Sequence, residues 1–267
     1  MEKAFRYTEA ISHLARRATV ERIDSALTSL ALLDRSAKVR RLVDLALTGI
    51  EVDPLPPSLW EDRATILVSN YPSVSQSLRA VIKVGCRLSK DRPRIRAIAR
   101  PEIVTQANLL MKVLGVGQFV FPVYKDQAGA YRLQRKLVKE VLVWLEGPGH
   151  VLWLSITGRT QGNGLLEGDL RTGAATFALN RGVPLMPMGL VTEEKKGRLR
   201  VVKVRFGEPI YPPSASGLDD FGRTDYLIDL SKMAMCQVAL LLPPGQRGDF
   251  ENAEQKLAET QRRLGLD

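Results

Sequence analysis

Proton transfer near neutral pH usually relies on histidine, whose imidazole titrates there. This chain has two histidines, His13 and His150. His13 stands among Arg and Leu residues at helical spacing and reads as a solvated or interface position. His150 lies between Gly149 and the start of an apolar run, where a functional role is the lesser reading. The sequence contains no HExxH, CxxC, GxSxG or phosphate-loop signature, so the chemistries those motifs carry have no visible bearer. One stretch remains: Thr157-Gly158-Arg159-Thr160-Gln161-Gly162-Asn163-Gly164. A guanidinium in a glycine-rich loop can grip a phosphate through bidentate, charge-assisted bonds. An ordinary surface loop explains the same composition.

Such a loop works only if regular structure holds it at the open end of a sheet. ATILVSN (64–70) predicts a buried strand and 73–85 the helix after it. RIRAIAR (94–100) predicts a second strand whose Arg94, Arg96 and Arg100 share one alternating face, either a basic patch or a sheet edge. Pro101 opens a helix over 101–114, QFVFPV (118–123) predicts a third strand, and 127–146 a long amphipathic helix stopped by Gly147-Pro148-Gly149. HVLWLSI (150–156) is the fourth strand and runs straight into the glycine-rich loop. A helix over 172–181 stops at Gly182, and VPLMPMGLV (183–191) gives a fifth strand. RLRVVKVRFGEPI (198–210) gives a sixth, antiparallel because only a short turn around Lys195, Lys196, Gly197 and Arg198 precedes it. Helices return over 221–242 and 249–264. This alternation predicts an α/β fold, a largely parallel (mixed) sheet flanked by helices, with ligands bound beyond the carboxyl ends of the strands. Trp60, Trp144, Trp153, Met233, Met235 and Cys236 read as packing residues.

The α/β domain is assigned to residues 60–248, with a C-terminal helix over 249–267. Residues 1–52 form an N-terminal helical segment, from the spacing of Ile11, Leu14, Ile23, Leu27 and Leu30. Arg16, Arg17, Arg22, Arg40 and Arg41 make it basic, which suits either a hairpin with a solvated face or an amphipathic helix on an anionic membrane. Three prolines between Pro54 and Pro57 separate it from the main domain.

Lys and Arg exceed Asp and Glu by 39 to 29, a net charge of +10. That surface attracts nucleic acid, anionic headgroups or phosphorylated metabolites. Aromatic residues make up only 6%, and no zinc-finger or RNP-like pattern is present, which weighs against nucleic acid. No run approaches the ~18 apolar residues of a transmembrane helix, and the N-terminus does not read as a secretory signal. Cys86 and Cys236, far apart, suit a reducing cytoplasm. No metal or cofactor is expected.

The order of segments resembles the glycerol-3-phosphate and 1-acylglycerol-3-phosphate (lysophospholipid) acyltransferase family over roughly residues 60–250. GAATFALNRGVPLMPMGLV (173–191) is similar to the family's helix and V-P-x-x-P strand. LWLSITGRT (152–160) stands in the place of F-P-E-G-T-R-S, followed by Leu165-Leu166 where the family often has a Leu pair. GVGQFVFPVYKD (115–126) looks like the second motif, VSNYPSVSQS (68–77) like the first, N-H-x-x-x-x-D, and ALLLPPGQRG (239–248) like family C-termini.

The resemblance implies an O-acyltransferase in which a histidine deprotonates the acceptor hydroxyl, which then attacks the thioester of acyl-CoA or acyl carrier protein as co-substrate. The aspartate five residues on orients that histidine. Here Tyr71 takes the histidine's place and Gln76 the aspartate's, while Asn70 and the four-residue spacer, including Ser73 and Ser75, remain. A tyrosine of ordinary pKa near 10 is phenolate in about one molecule in a thousand at pH 7, whereas general-base assistance is worth about 10²–10⁴ in rate. Ile156 replaces the third motif's Glu, and Thr157-Gly158 inverts its Gly-Thr. The basic residues the resemblance assigns to the acceptor's phosphate, Lys125 and Arg159, persist, and Arg171 falls near a position where the family is often basic. The anion-gripping half of the site is partly kept and the proton-transfer half lost.

The expectation is therefore a catalytically impaired, cytoplasmic, peripherally membrane-associated protein that binds a lipid or acyl chain. The alternatives are an acyltransferase with altered catalysis, Tyr71, Ser73 or Ser75 positioning the acceptor, and a polyanion-binding protein. The sequence names no protein partner.

Overall fold

The structure is a computed structural model and describes residues 49–57, 63–88, 95–99, 120–125, 131–158, 160–195 and 197–266. The strands are β1 (Glu51–Val52), β2 (Thr65–Ser69), β3 (Ile95–Ala99), β4 (Val120–Pro122), β5 (Tyr124–Lys125), β6 (Tyr131–Arg132), β7 (Val151–Ser155), β8 (Leu185–Lys195) and β9 (Arg198–Phe206). Seven form one sheet in the order β1-β9-β8-β2-β7-β3-β4, parallel at every pairing except β8 with β9. β5 and β6 make a separate antiparallel hairpin. The helices are α1 (Val74–Leu88), α2 (Arg135–Trp144), α3 (Gly173–Arg181), α4 (Asp220–Leu240) and α5 (Ala253–Arg263). The fold is α/β with a mixed, mostly parallel sheet.

The continuous apolar runs occupy the centre because a strand covered on both faces has no polar side to show. Every residue of β2 is buried. Its side chains alternate between two cores: Ile66 and Val68 face one, Leu67 the other. On the first face lie α2, α3 and α4, through Leu137, Val141, Phe177, Leu230 and Met233. On the second lies α1, through Ala80, Val81, Ile82 and Val84 against Leu67, Met186, Met188 and Trp153. Of the residues expected to pack, Trp153, Met233, Met235 and Cys236 are buried, and Trp144 is partly buried against the first core. Burial pushes the Cys236 thiol up to about 11, so it stays protonated at neutral pH and is no nucleophile. α5 packs on α4, with Leu257 against the core and Arg263 2.8 Å from Asp229.

Two boundaries differ from the sequence reading. Glu51–Val52, assigned to the N-terminal helical segment, is strand β1 and pairs with Lys203 and Val204 of β9. Lys203 anchors it by ion pairs to Glu51 (2.9 Å) and Asp53 (3.1 Å). The helix expected over 127–146 begins only at Arg135, because Tyr131–Arg132 pairs with Tyr124–Lys125. Of the three arginines expected on one face of the second strand, Arg96 is the one the structure describes. It lies over the rings of Phe121 and Trp144, 5.0 and 4.0 Å from their centroids. The helices expected over 1–48 and 101–114, and Trp60, Arg94, Arg100, Arg159 and Lys196, lie outside the described residues.

β8 is 11 residues long, whereas β2 pairs with it only as far as Met188. Beyond that point side-chain amides stand in for a strand. Asn70 accepts from Leu190 N (2.8 Å) and donates to Leu190 O (3.0 Å). Gln246, in the turn after α4, does the same for Thr192, at 3.1 and 2.6 Å. At Thr192 the ladder slips, leaving Val202 as an extra residue on β9. The outward-facing N–H of Val201 donates to Gln76 Oε1 at 3.2 Å.

Candidate functional site

β2 and β7 run side by side in register, Ser69 opposite Ser155, so the chain leaves both at the same end of the sheet. That end carries Asn70 and Tyr71 from β2, and Thr157, Gly158 and Gln161 from β7. The helices that follow, α1 and α3, lie on opposite faces, and both begin at this end.

Ser73 ends the loop and starts α1: its Oγ accepts from Gln76 N at 3.3 Å. The sequence Ser73-x-x-Gln76 is a capping box by spacing, but its second half is replaced. The Gln76 carboxamide goes to Val201 of β9. Ser75 is exposed. Tyr71 is half-buried, its ring edge-on to Trp153 at 6.0 Å and 71°. The Trp153 indole donates to Ser69 Oγ (2.9 Å), which fixes the wall behind that ring. The Tyr71 backbone is held from across the gap: Gln161 N donates to Tyr71 O (2.8 Å), and Tyr71 N to Gln161 Oε1 (3.2 Å).

On the β7 side, Ile156 is buried in the core where the resemblance placed a carboxylate. Thr157 is buried, its hydroxyl 3.0 Å from Ser155 Oγ. Gly158 has φ +67, and a Cβ there would stand 3.3 Å from Arg171 Cγ. Arg171 is thus laid along this turn, with its N–H donating to Ile156 O at 2.7 Å. Its side chain is two-thirds exposed, and Asp169 approaches only to 3.6 Å, an ion pair of small worth. The guanidinium remains available to an anion.

The structure brings Asn70, Tyr71, Thr157, Gly158 and Arg171 to one end of the sheet, with Ser73 and Gln76 at the start of α1. The Gln76 carboxamide is directed to β9, where it accepts from Val201 N. Asn70 offers no free amide, since both its polar atoms are bonded to Leu190. Lys125 is on β5, just after β4, and β4 stands three places from β2, about 14 Å by the usual strand spacing. Nothing in the sequence marks Gln161 or Gln246 as structural, because a lone glutamine does not reveal its partner.

His150 is at the opposite end. It precedes Val151, the partner of Thr65, and therefore lies about 15–20 Å from Tyr71 along the strands. Its Nδ1 is 2.7 Å from Trp144 O, and as a carbonyl only accepts, Nδ1 carries a proton. The imidazole stacks on Trp144 at 3.8 Å and 12°. Arg96 at a similar height must occupy the other face of the indole, so Trp144 is sandwiched. Gly147 makes room: a Cβ there would stand 2.1 Å from the imidazole. Gly147→Ala is expected to cost about 1–3 kcal/mol by overpacking, and most of that cost disappears in a His150→Ala background. A double-mutant cycle in urea checks it; equal costs in both backgrounds would show the contact to be unimportant.

Among the described residues there is no cluster of His, Cys, Asp and Glu able to hold a metal, and no helix long and apolar enough to cross a membrane. No family model matches the chain, and neither does any curated protein.

Proposed function

We propose that this protein is an acyltransferase-like lipid- or acyl-binding protein, impaired in catalysis, that acts cytoplasmically at an anionic membrane surface. The reading rests on the sequence resemblance together with one observation: Gln76, in the place of the orienting acid, directs its carboxamide to Val201 of β9. Tyr71 beside it then has no counterpart of a carboxylate from that position to make it a base. His150, the one described imidazole, is held at the far end of the sheet. The exposed Arg171 guanidinium at the same end as Tyr71 supports retention of an anion-binding function.

Mass spectrometry of lipids co-purifying with the protein tests the binding half, with a phospholipid or fatty acid expected. Incubation with radiolabelled acyl-CoA or acyl carrier protein and a panel of lysophospholipid acceptors tests the catalytic half. No transfer above a boiled control is expected. Transfer that Arg159→Ala abolishes would overturn the impairment and favour the alternative, catalysis by other means.

A further inference from the structure

Gln161 is fully buried, and its Nε2 has no hydrogen-bond partner among the described residues. The orientation of the amide is forced by its surroundings. Tyr71 N–H requires an acceptor, so Oε1 must face it and the NH₂ must face away. Two donors are therefore stranded within a few ångströms of the Tyr71 backbone. A buried unpaired donor costs about 1–3 kcal/mol, and anchoring Tyr71 does not require it, since a carboxylate would accept from Tyr71 N equally well. A second stranded group, the Ser77 hydroxyl, is buried on α1 six residues after Tyr71. Arg171 adds a positive charge at this end of the sheet. An amide that offers two donors suits an oxygen that only accepts.

We propose that the Gln161 NH₂ donates to a carboxylate or phosphate oxygen of the ligand bound at the carboxyl ends of β2 and β7. The assignment rests on the proposed lipid- or acyl-binding function and names the chemical group recognised. The oxygen reaches Nε2 when the Gln161–Gly164 turn lifts. That turn is short, closed by Gly164 N to Gln161 O (2.8 Å), and includes the exposed Gly162 and Asn163. Gly164 has φ +76, a conformation glycine adopts without strain.

Titration of ¹⁵N-labelled protein with octanoate, and separately with inorganic phosphate, tests the proposal. The Gln161 side-chain amide signal, identified by its absence from Gln161→Glu, is expected to move saturably downfield with at least one probe. Movement with octanoate alone identifies a carboxylate site, and with phosphate alone a headgroup site. Gln161→Glu keeps the acceptor for Tyr71 N but replaces the donors with a negative charge, so it is expected to bind the active probe at least tenfold more weakly. The wild-type titration stands without the variant should the variant fail to fold. An unmoved amide signal with both probes, or undiminished binding by Gln161→Glu, would overturn the assignment. A lipid that co-purifies equally with Gln161→Glu would refute the role of Gln161 and leave lipid binding intact. A responsive amide in a protein carrying no lipid would do the reverse.

Discussion

Asn70→Ala is expected to lower the unfolding free energy by about 2–6 kcal/mol, from two backbone groups left unpaired at about 1–3 kcal/mol each. Asn70 and Leu190 are both buried, so water cannot readily replace the lost amide. Asn70→Asp refines the test. One carboxylate oxygen still accepts from Leu190 N, but the other then faces Leu190 O with no proton between them. Burial and that carbonyl both favour the protonated acid, which raises its folded pKa above the ordinary carboxyl value near 3.9. The sign follows by linkage: the stabilising bond is fully present below the unfolded pKa and is lost as pH rises through the folded one. The deficit of Asn70→Asp relative to wild type should therefore widen from acid toward neutral pH. Thermal melts of both proteins across that interval measure it. A constant deficit, or none at pH 7, would mean that the amide does not close this part of β8.

Gly248→Ala should be similarly damaging, for steric reasons. Gly248 has φ +48, and a Cβ there would lie 2.3 Å from Leu166 O and 2.9 Å from Leu166 N. Left-handed backbone costs a residue with a Cβ about 1–2 kcal/mol, and overpacking adds about 1–3. The atoms in the way are backbone, and they are tied down. Asp249 N donates to Leu166 O (2.9 Å), Leu166 N to Gln246 O (3.3 Å), and Gly168 N to Asp249 Oδ2 (2.7 Å). Relief of the clash would drag Gln246 off Thr192. Gly245→Ala, three residues earlier with nothing within 4 Å, is the control and should be close to neutral. Urea midpoints for the two variants are the measurement; equal midpoints would refute the close approach.

The parallel core was readable because its strands are short apolar runs bounded by glycine and proline, and the β8–β9 hairpin because its turn is short. β1 is not legible because two residues carry no periodicity and a proline run follows them. The start of α2 was misplaced because Gln127 to Gln134 has helix-compatible composition, whereas the pairing of Tyr131 with Lys125 is decided by the partner strand. At the candidate site, the residue types at 70, 71, 76, 157, 158 and 171 were legible, and the assembly at one end of the sheet followed from the strand order. The hydrogen bonds that give those residues their present roles were not. Asn70 to Leu190, Gln161 to Tyr71, Gln246 to Thr192 and Gln76 to Val201 join positions far apart in the chain, and no local pattern announces them.

Gln76 also bears on solubility. β1 covers β9 only at Lys203 and Val204, and among the described residues no strand pairs with β9 from Arg198 to Val202 on that side. An open strand margin invites a neighbouring molecule to add its own backbone. By occupying Val201 N–H, the glutamine blunts that margin at the bulge. An aspartate at 76 has one methylene less with which to reach it. A Gln76→Asp variant would thus leave a sticky margin, and it should self-associate at concentrations where the parent protein stays dispersed.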